Sequence, residues 1–138
     1  LPNIVGVKDA TGILNRVDEQ KKKMGNDFIQ LTGNDDKAFE FNKRGGVGAI
    51  SVTANIAPKL CSELHNSWRD KKIDKTLQIN LKLAKIHNAL FVEPSPGPVK
   101  YAAELLNLCT SETRLPLVPI QNKTKLLVKE SMVEAGLI

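Results

Sequence analysis

The sequence is poor in the residues that several common classes of protein depend on. It has only two cysteines, Cys61 and Cys109, which are far apart and show no CxxC or Cys/His spacing. A disulfide framework and a zinc site are therefore not indicated, and we expect both cysteines to be small buried hydrophobes. Aromatic residues make up 4% of the chain, and no nucleic-acid-binding motif accompanies them. We expect no bound metal and no nucleic-acid partner.

The chain also lacks long apolar runs. No uninterrupted stretch approaches the ~20 apolar residues that span a bilayer, and Leu-Pro-Asn-Ile at the start does not resemble a signal peptide. We therefore expect a cytoplasmic protein with no membrane contact. The formal net charge of +5 is scattered except at residues 21–23, Lys-Lys-Lys. This triplet ends a predicted helix, where cations are favourable to the helix dipole.

The first third of the sequence alternates short strands with helices. Strands are predicted at residues 3–7, 28–33 and 47–53. The first helix begins at Thr11-Gly12 and ends at Gly25-Asn26, with Leu14, Val17 and Met24 on its apolar face; the second covers residues 37–44, capped by Asn34-Asp35. This order is typical of parallel βαβ units. The strand ends at Lys8, Gly33 and Thr53 should then share the edge of the sheet that carries chemistry in α/β proteins.

From residue 55 onward the sequence predicts only helices and loops. Helices are expected at residues 57–69, 73–90, 98–107 and 123–134, with proline-rich connectors at 93–98 and 115–119. The helix at 73–90 carries two apolar stripes, one through Leu77 and Leu81 and one through Leu83 and Ile86, which predicts cover on two sides.

Lys8 is the candidate for chemistry because it ends an apolar strand. A lysine in a dry pocket has a depressed pKa, and its neutral amine can form a Schiff base with a ketone. The alternative from local context alone is a lysine that extends from the strand end into water.

Other polar features have structural interpretations. The Gly-Gly-Val-Gly run at 45–48 precedes a strand and lacks the Gly-Lys-Ser/Thr ending of a phosphate loop. His65 and His87 lie on separate helices without a ligand pattern, which favours packed or surface histidines over metal ligands. Glu93 is better explained as a carboxylate that holds the proline-rich loop than as a general base.

Three motifs, in order, resemble the dihydrodipicolinate synthase family. They are Gly-Val-Lys-Asp-Ala-Thr-Gly at residues 6–12, Gly-Gly-Val-Gly-Ala-Ile-Ser-Val-Thr-Ala-Asn at 45–55 and Leu-Phe-Val-Glu-Pro-Ser-Pro-Gly-Pro-Val-Lys at 90–100. Arg-Leu-Pro-Leu at 114–117 also fits. The resemblance covers essentially all 138 residues, but only the second half of the family's fold.

The resemblance implies an α/β fold made of the last three βα units of a (β/α)8 TIM barrel followed by an all-helical C-terminal domain. Residues 1–54 would be the C-terminal part of the barrel, and residues 55–138 the helical domain. Three strands cannot close such a barrel, which takes about 250 residues.

The resemblance also implies an activity. Lys8 would form an imine with pyruvate, and the derived enamine would attack L-aspartate 4-semialdehyde to give 4-hydroxy-tetrahydrodipicolinate in lysine biosynthesis. Gly33 and Ile50, the latter through its main chain, would line the pyruvate pocket. No cofactor and no metal are implied, and the full-length family member is expected to be a homotetramer.

Some family features are absent from this chain. The proton-relay tyrosine, the threonine pair and the substrate-binding arginine belong to the family's first half, and Tyr101 should not inherit the tyrosine's role. Asn34, Ser95 and Gly97 depart from the family pattern without involving Lys8. One alternative is an N-acetylneuraminate lyase-like or other pyruvate-dependent aldolase. Another is a non-catalytic split or truncated half that needs a partner, and we expect the isolated chain to be inactive.

Overall fold

A three-stranded parallel sheet forms the first part of the chain in the computed structural model, which describes residues 3–138. Leu1 and Pro2, the latter predicted to precede the first strand, lie outside this part. The strands are β1 (Gly6–Asp9), β2 (Ile29–Thr32) and β3 (Gly48–Ala49), in the order β1-β2-β3. Helices α1 (Asn15–Met24) and α2 (Ala38–Lys43) connect them. The register pairs Lys8 with Leu31 and Thr32 with Ala49, so the predicted parallel arrangement is confirmed.

The strands differ from the prediction at their ends. The first begins at Gly6 and includes Lys8, while β3 has only two residues and ends well before Thr53. Thr53 instead begins a short 3₁₀ turn, Thr53–Asn55, because the Asp35 carboxylate binds the backbone N–H groups of Val52 and Thr53. A second 3₁₀ turn, Asp35–Lys37, precedes α2, and the expected side-chain cap from Asn34 is not formed there.

Four helices follow the sheet: α3 (Pro58–Arg69), α4 (Ile73–Ala89), α5 (Gly97–Leu105) and α6 (Asn122–Glu134). All four were predicted to within two residues. Pro98 lies in the first turn of α5, where its missing N–H has no intrahelical partner to lose. No helix among residues 3–138 has both the length and the apolar character to cross a membrane.

The core is centred on α4. Leu83, Ile86 and Leu90 are fully buried with Leu64 of α3 and Met132 of α6. Ala38 of α2 belongs to the same cluster, so buried packing continues across the boundary predicted near residue 54, and that division stays a prediction.

Three burial predictions were wrong. The α4 stripe through Leu77 and Leu81 is exposed, at 41% and 73%, because α3 and α6 cover only the opposite face of the helix. Met24 is 54% exposed in the last turn of α1. Cys61 is buried as predicted, but Cys109 is exposed in the loop after α5.

Candidate active site at the carboxyl ends of the strands

The three residues proposed for the site lie at one edge of the sheet. Lys8 is near the end of β1, Gly33 follows β2 and Ile50 follows β3. Backbone hydrogen bonds join these segments, because Gly33 N–H donates to the Asp9 carbonyl at 2.7 Å and Ile50 N–H to the Thr32 carbonyl at 2.9 Å. Parallel pairing therefore brings Lys8, Gly33 and Ile50 to the same edge.

Gly33 contacts the side chain of Lys8. A Cβ atom placed on Gly33 would lie 2.8 Å from Lys8 Cε and 2.9 Å from Ala10 Cβ. Both distances are shorter than ordinary van der Waals contacts, so a side chain at position 33 would clash with Ala10 and displace the end of the Lys8 side chain. The dry pocket expected around Lys8 is not formed by residues 3–138 alone, since Lys8 is exposed and Ile50 is 51% exposed.

Asp9 fixes the turn after Lys8. Its carboxylate accepts hydrogen bonds from Thr11 N at 2.8 Å, Thr11 Oγ1 at 2.6 Å, Arg16 Nε at 2.7 Å and Gln20 Nε2 at 3.2 Å. Burial raises the pKa of Asp9, but the hydrogen bonds from Thr11 and Arg16 outweigh it and hold the pKa at about 2. The carboxylate therefore remains ionised and ties the end of β1 to α1.

A second buried network fixes the turn after β3. Asp35 Oδ2 accepts hydrogen bonds from Val52 N at 2.9 Å, Thr53 N at 3.1 Å and Thr53 Oγ1 at 3.3 Å. Thr53 Oγ1 also lies 2.8 Å from His87 Nδ1 on α4. Asp35, Thr53 and His87 are each at most 3% exposed. This chain of contacts joins the segment after β2, the turn that follows Ile50, and the helical part.

The remaining singled-out residues have structural partners. His65 Nδ1 lies 2.8 Å from Asn42 Nδ2, and burial lowers the pKa of His65. Glu93 Oε1 accepts the N–H of Gln121 at the start of α6, and hydrogen bonds from Thr124 and Gln121 lower the Glu93 pKa. Glu93 therefore anchors the proline-rich loop to α6, which is the structural role predicted from the sequence. Within residues 3–138, no cluster of three or more His, Cys, Asp or Glu side chains is placed to hold a metal ion.

The sequence patterns did not identify Asp35 and Thr53 as a connected pair. Asp35 was interpreted as part of a helix cap and Thr53 as a strand end. Their contact spans 18 residues along the chain, and neither helical nor strand periodicity reports contacts of that kind.

Comparison with known proteins gives a consistent result. The model of the Dihydrodipicolinate synthetase family matches residues 1–135. The 4-hydroxy-tetrahydrodipicolinate synthases of Pelagibacter ubique and Parvibaculum lavamentivorans are 57% and 53% identical over the whole chain, which covers 48% and 47% of their lengths.

Solved structures agree. Dihydrodipicolinate synthase from Thermotoga maritima superposes with a TM-score of 0.94 at 38% identity, over 100% of this chain and 48% of that one. A chloride-inhibited synthase from Acinetobacter baumannii, solved in complex with pyruvate, gives a TM-score of 0.92 at 38% identity. The match covers 100% of this chain and 47% of that one.

The chain thus spans about half the length of the relatives it matches. The fold prediction is confirmed, since the chain is α/β with a parallel sheet that forms part of a TIM barrel. The extent of the family match and the identity to its members lead to one conclusion: this chain belongs to the dihydrodipicolinate synthetase family.

Proposed function

We propose that this chain supplies the Schiff-base lysine and part of the pyruvate site of a 4-hydroxy-tetrahydrodipicolinate synthase. The observation that carries the proposal is the edge at which Lys8 crosses Gly33, with the Ile50 main chain on the neighbouring strand end. A lysine positioned beside main-chain groups can bind a small keto acid without an added charge.

Lys8 is the nucleophile in this proposal. Its neutral amine attacks the keto carbon of pyruvate, water leaves, and the protonated imine loses a proton from the methyl group to give an enamine. The enamine carbon then adds to the aldehyde carbon of L-aspartate 4-semialdehyde. The substrate's own amine displaces Lys8 and closes the ring. The protonated imine accepts the electron pair released at the methyl carbon.

The remainder of the barrel has two roles in this scheme. It covers Lys8, which residues 3–138 leave exposed, and it supplies the proton-transfer groups that the chain lacks. The names of the matched relatives support the synthase over the N-acetylneuraminate lyase-like alternative. A homotetrameric full-length protein and a cytoplasmic location stay predictions.

Borohydride trapping tests the proposal. We would join the chain to the matching half of the Pelagibacter ubique synthase, which it resembles at 57% identity, and treat the chimera with pyruvate and borohydride. Mass spectrometry should find the reduced pyruvate adduct on Lys8. Lys8→Arg should abolish both the adduct and turnover, because the guanidinium stays protonated and is not a nucleophile.

Lys59→Arg provides the matched control, since Lys59 is an exposed lysine of α3 away from the strand ends. It should leave trapping and turnover intact. Trapping at another lysine, or full turnover by the Lys8→Arg chimera, would show that the proposal is wrong.

A further inference from the structure

The main chain at Ile50 leaves the sheet directly after its last ladder bond. Strand β3 covers only Gly48–Ala49, and the Ile50 N–H donates to the Thr32 carbonyl at 2.9 Å. The chain then enters the 3₁₀ turn Thr53–Asn55. Parallel pairing therefore fixes Ile50 on its amino side, and a different kind of contact fixes it on its carbonyl side.

Asp35 supplies that second contact. Its Oδ2 atom accepts hydrogen bonds from Val52 N at 2.9 Å, from Thr53 N at 3.1 Å and from the Thr53 hydroxyl at 3.3 Å. Asp35 is 3% exposed and Thr53 is fully buried, and bonds to a carboxylate are strong in such surroundings. Only Ser51 separates Ile50 from the first of the two anchored amides.

Both anchors of this segment belong to the part of the chain that carries Gly33. Thr32 directly precedes Gly33, and Asp35 follows it two positions later. One ladder bond and one side-chain clamp, placed on either side of Gly33, thus set the separation between the Gly33 and Ile50 main chains.

The turn's own hydrogen bonds have a different effect. Ser51 Oγ accepts the Ala54 N–H at 2.9 Å, and the Thr53 carbonyl accepts the Ala57 N–H at 2.9 Å. These bonds join neighbouring residues and determine the shape of the turn, whereas Asp35 determines its position relative to β2. Helix α3 also packs against the turn, so we expect the turn to persist without the carboxylate, at a less defined position.

The proposed pyruvate site is sensitive to that position because it uses main-chain groups. Such groups orient a small keto acid only where the fold holds them, and a misplacement of about 1 Å can cost on the order of a hundredfold in rate. Asp35 Oδ2 already accepts three hydrogen bonds from the turn, so its part is to hold this segment and not to bind the ligand.

We propose that Asp35 is a positioning residue that holds the Ile50 main chain against Gly33 at the pyruvate site. The inference rests on the proposed function, which assigns pyruvate to these two main-chain segments. The arginine that the family resemblance assigns to aspartate semialdehyde lies outside this chain. Loss of Asp35 therefore weakens the recognition of pyruvate and spares that of the semialdehyde.

Pyruvate trapping in the Pelagibacter chimera tests the proposal. Asp35→Ala removes the acceptor, whereas Asp35→Asn keeps a side-chain oxygen but loses the negative charge. The pyruvate concentration that gives half the maximal initial rate of borohydride trapping on Lys8 should rise about tenfold for Asp35→Ala and about threefold for Asp35→Asn. The KM for aspartate semialdehyde should change by less than about twofold in both variants.

Two control variants separate positioning from general effects. Asp27→Ala removes an exposed carboxylate that precedes β2, at the opposite end of the strand from Asp35, and should leave trapping unchanged. Val128→Ala truncates a fully buried side chain of α6. It should lower the urea midpoint of unfolding and also leave trapping unchanged.

Three results would overturn the positioning role. They are an unchanged trapping curve for Asp35→Ala, equal increases in KM for both substrates, and a trapping shift for Val128→Ala as large as that for Asp35→Ala. If the Asp35→Ala chimera does not fold, Asp35→Asn decides the matter, and a trapping curve identical to that of the unaltered chimera would then overturn the role.

Hydrogen exchange, resolved to single amides, distinguishes this inference from the proposed function. In the chimera without substrate, the Val52 and Thr53 amides should exchange at least about tenfold faster in Asp35→Ala than in the unaltered protein. The Ala135 amide, which bonds to the Ser131 carbonyl at the end of α6, should not change. Unchanged exchange at Val52 and Thr53 would overturn the positioning role even where pyruvate is trapped. Absence of trapping on Lys8 in the unaltered chimera would instead refute the proposed function.

Discussion

At the scale of single residues, Asp9 governs the geometry of the Lys8 strand end. Its buried carboxylate is bound by donors from the following turn and from α1, and these donors keep it ionised. Depressing the pKa from 3.8 to about 2 makes ionised Asp9 a stabilising element of the folded state. Lys8, the proposed nucleophile, is thus held at the strand end by a network centred on the next residue in the sequence.

Asp9→Asn should lower the free energy of unfolding at pH 7 by roughly 2 kcal/mol. Because the folded-state pKa lies below the unfolded one, the contribution is complete above about pH 4 and disappears as the pH falls toward 2. Urea denaturation of both proteins between pH 2 and 7 should show curves that converge at the acid end. Asp27→Asn, at an exposed position, is the control and should follow the unaltered chain. A constant difference at all pH values would contradict this account.

The sequence predicts part of the candidate site and misses the rest for a physical reason. Lys8, Gly33 and Ile50 end consecutive strands, so parallel topology alone places them together. Asp35, Thr53 and His87 meet only after α4 has packed against the 3₁₀ turn at Asp35–Lys37, and their identities follow no period. Contacts of this kind depend on the folded arrangement rather than on local pattern.

At the scale of elements, the turn after β3 is joined to α4 by the Thr53 hydroxyl. This group is fully buried and contacts both the Asp35 carboxylate and the His87 ring. The helices themselves were predictable because Leu83 and Ile86 recur at helical spacing on a buried face. The length of β3 was not predictable. The Val52 and Thr53 N–H groups bind the Asp35 carboxylate instead of a neighbouring strand, although the apolar run that contains them predicts a strand.

Thr53→Val should lower the free energy of unfolding by about 2 kcal/mol, because it leaves buried polar atoms of Asp35 and His87 without this partner. Thr76→Val is the matched control: Thr76 is also fully buried, but its hydroxyl bonds only to the Lys72 carbonyl one turn earlier along α4. The control should cost less than half as much in urea denaturation. Equal losses would show that burial of a threonine, rather than the link to His87, is responsible.

At the scale of the whole molecule, the sheet has two open edges and an uncovered apolar surface. Val5 and Val47 are each 65% exposed on the two outer strands or their flanks, and Ile29 is 45% exposed on the central strand. Unpaired strand edges and apolar patches of this kind favour association with another polypeptide. The matched relatives are about twice as long, and we therefore expect a polypeptide that supplies the rest of the barrel to cover this surface.

The isolated 138-residue chain should therefore show no synthase turnover and should self-associate. Mixing it with the separately expressed remaining half of the Pelagibacter ubique synthase should give a defined complex that condenses pyruvate with aspartate semialdehyde. Light scattering after size-exclusion chromatography would report assembly, and product formation would report activity. A Lys8→Arg chain should assemble equally well and remain inactive. A monomeric isolated chain that turns over both substrates would refute this prediction.

The hydrogen bonds on Asp35 have a consequence for how the chain can diverge. Two of its three donors are main-chain N–H groups, which every amino acid except proline possesses. A substitution at position 52 other than proline therefore keeps the main-chain donor, although Val52 itself packs against the core, whereas a proline at 52 or 53 would remove a donor. The shape of this turn thus depends on an acidic residue 17 positions earlier in the chain as well as on the turn's own side chains.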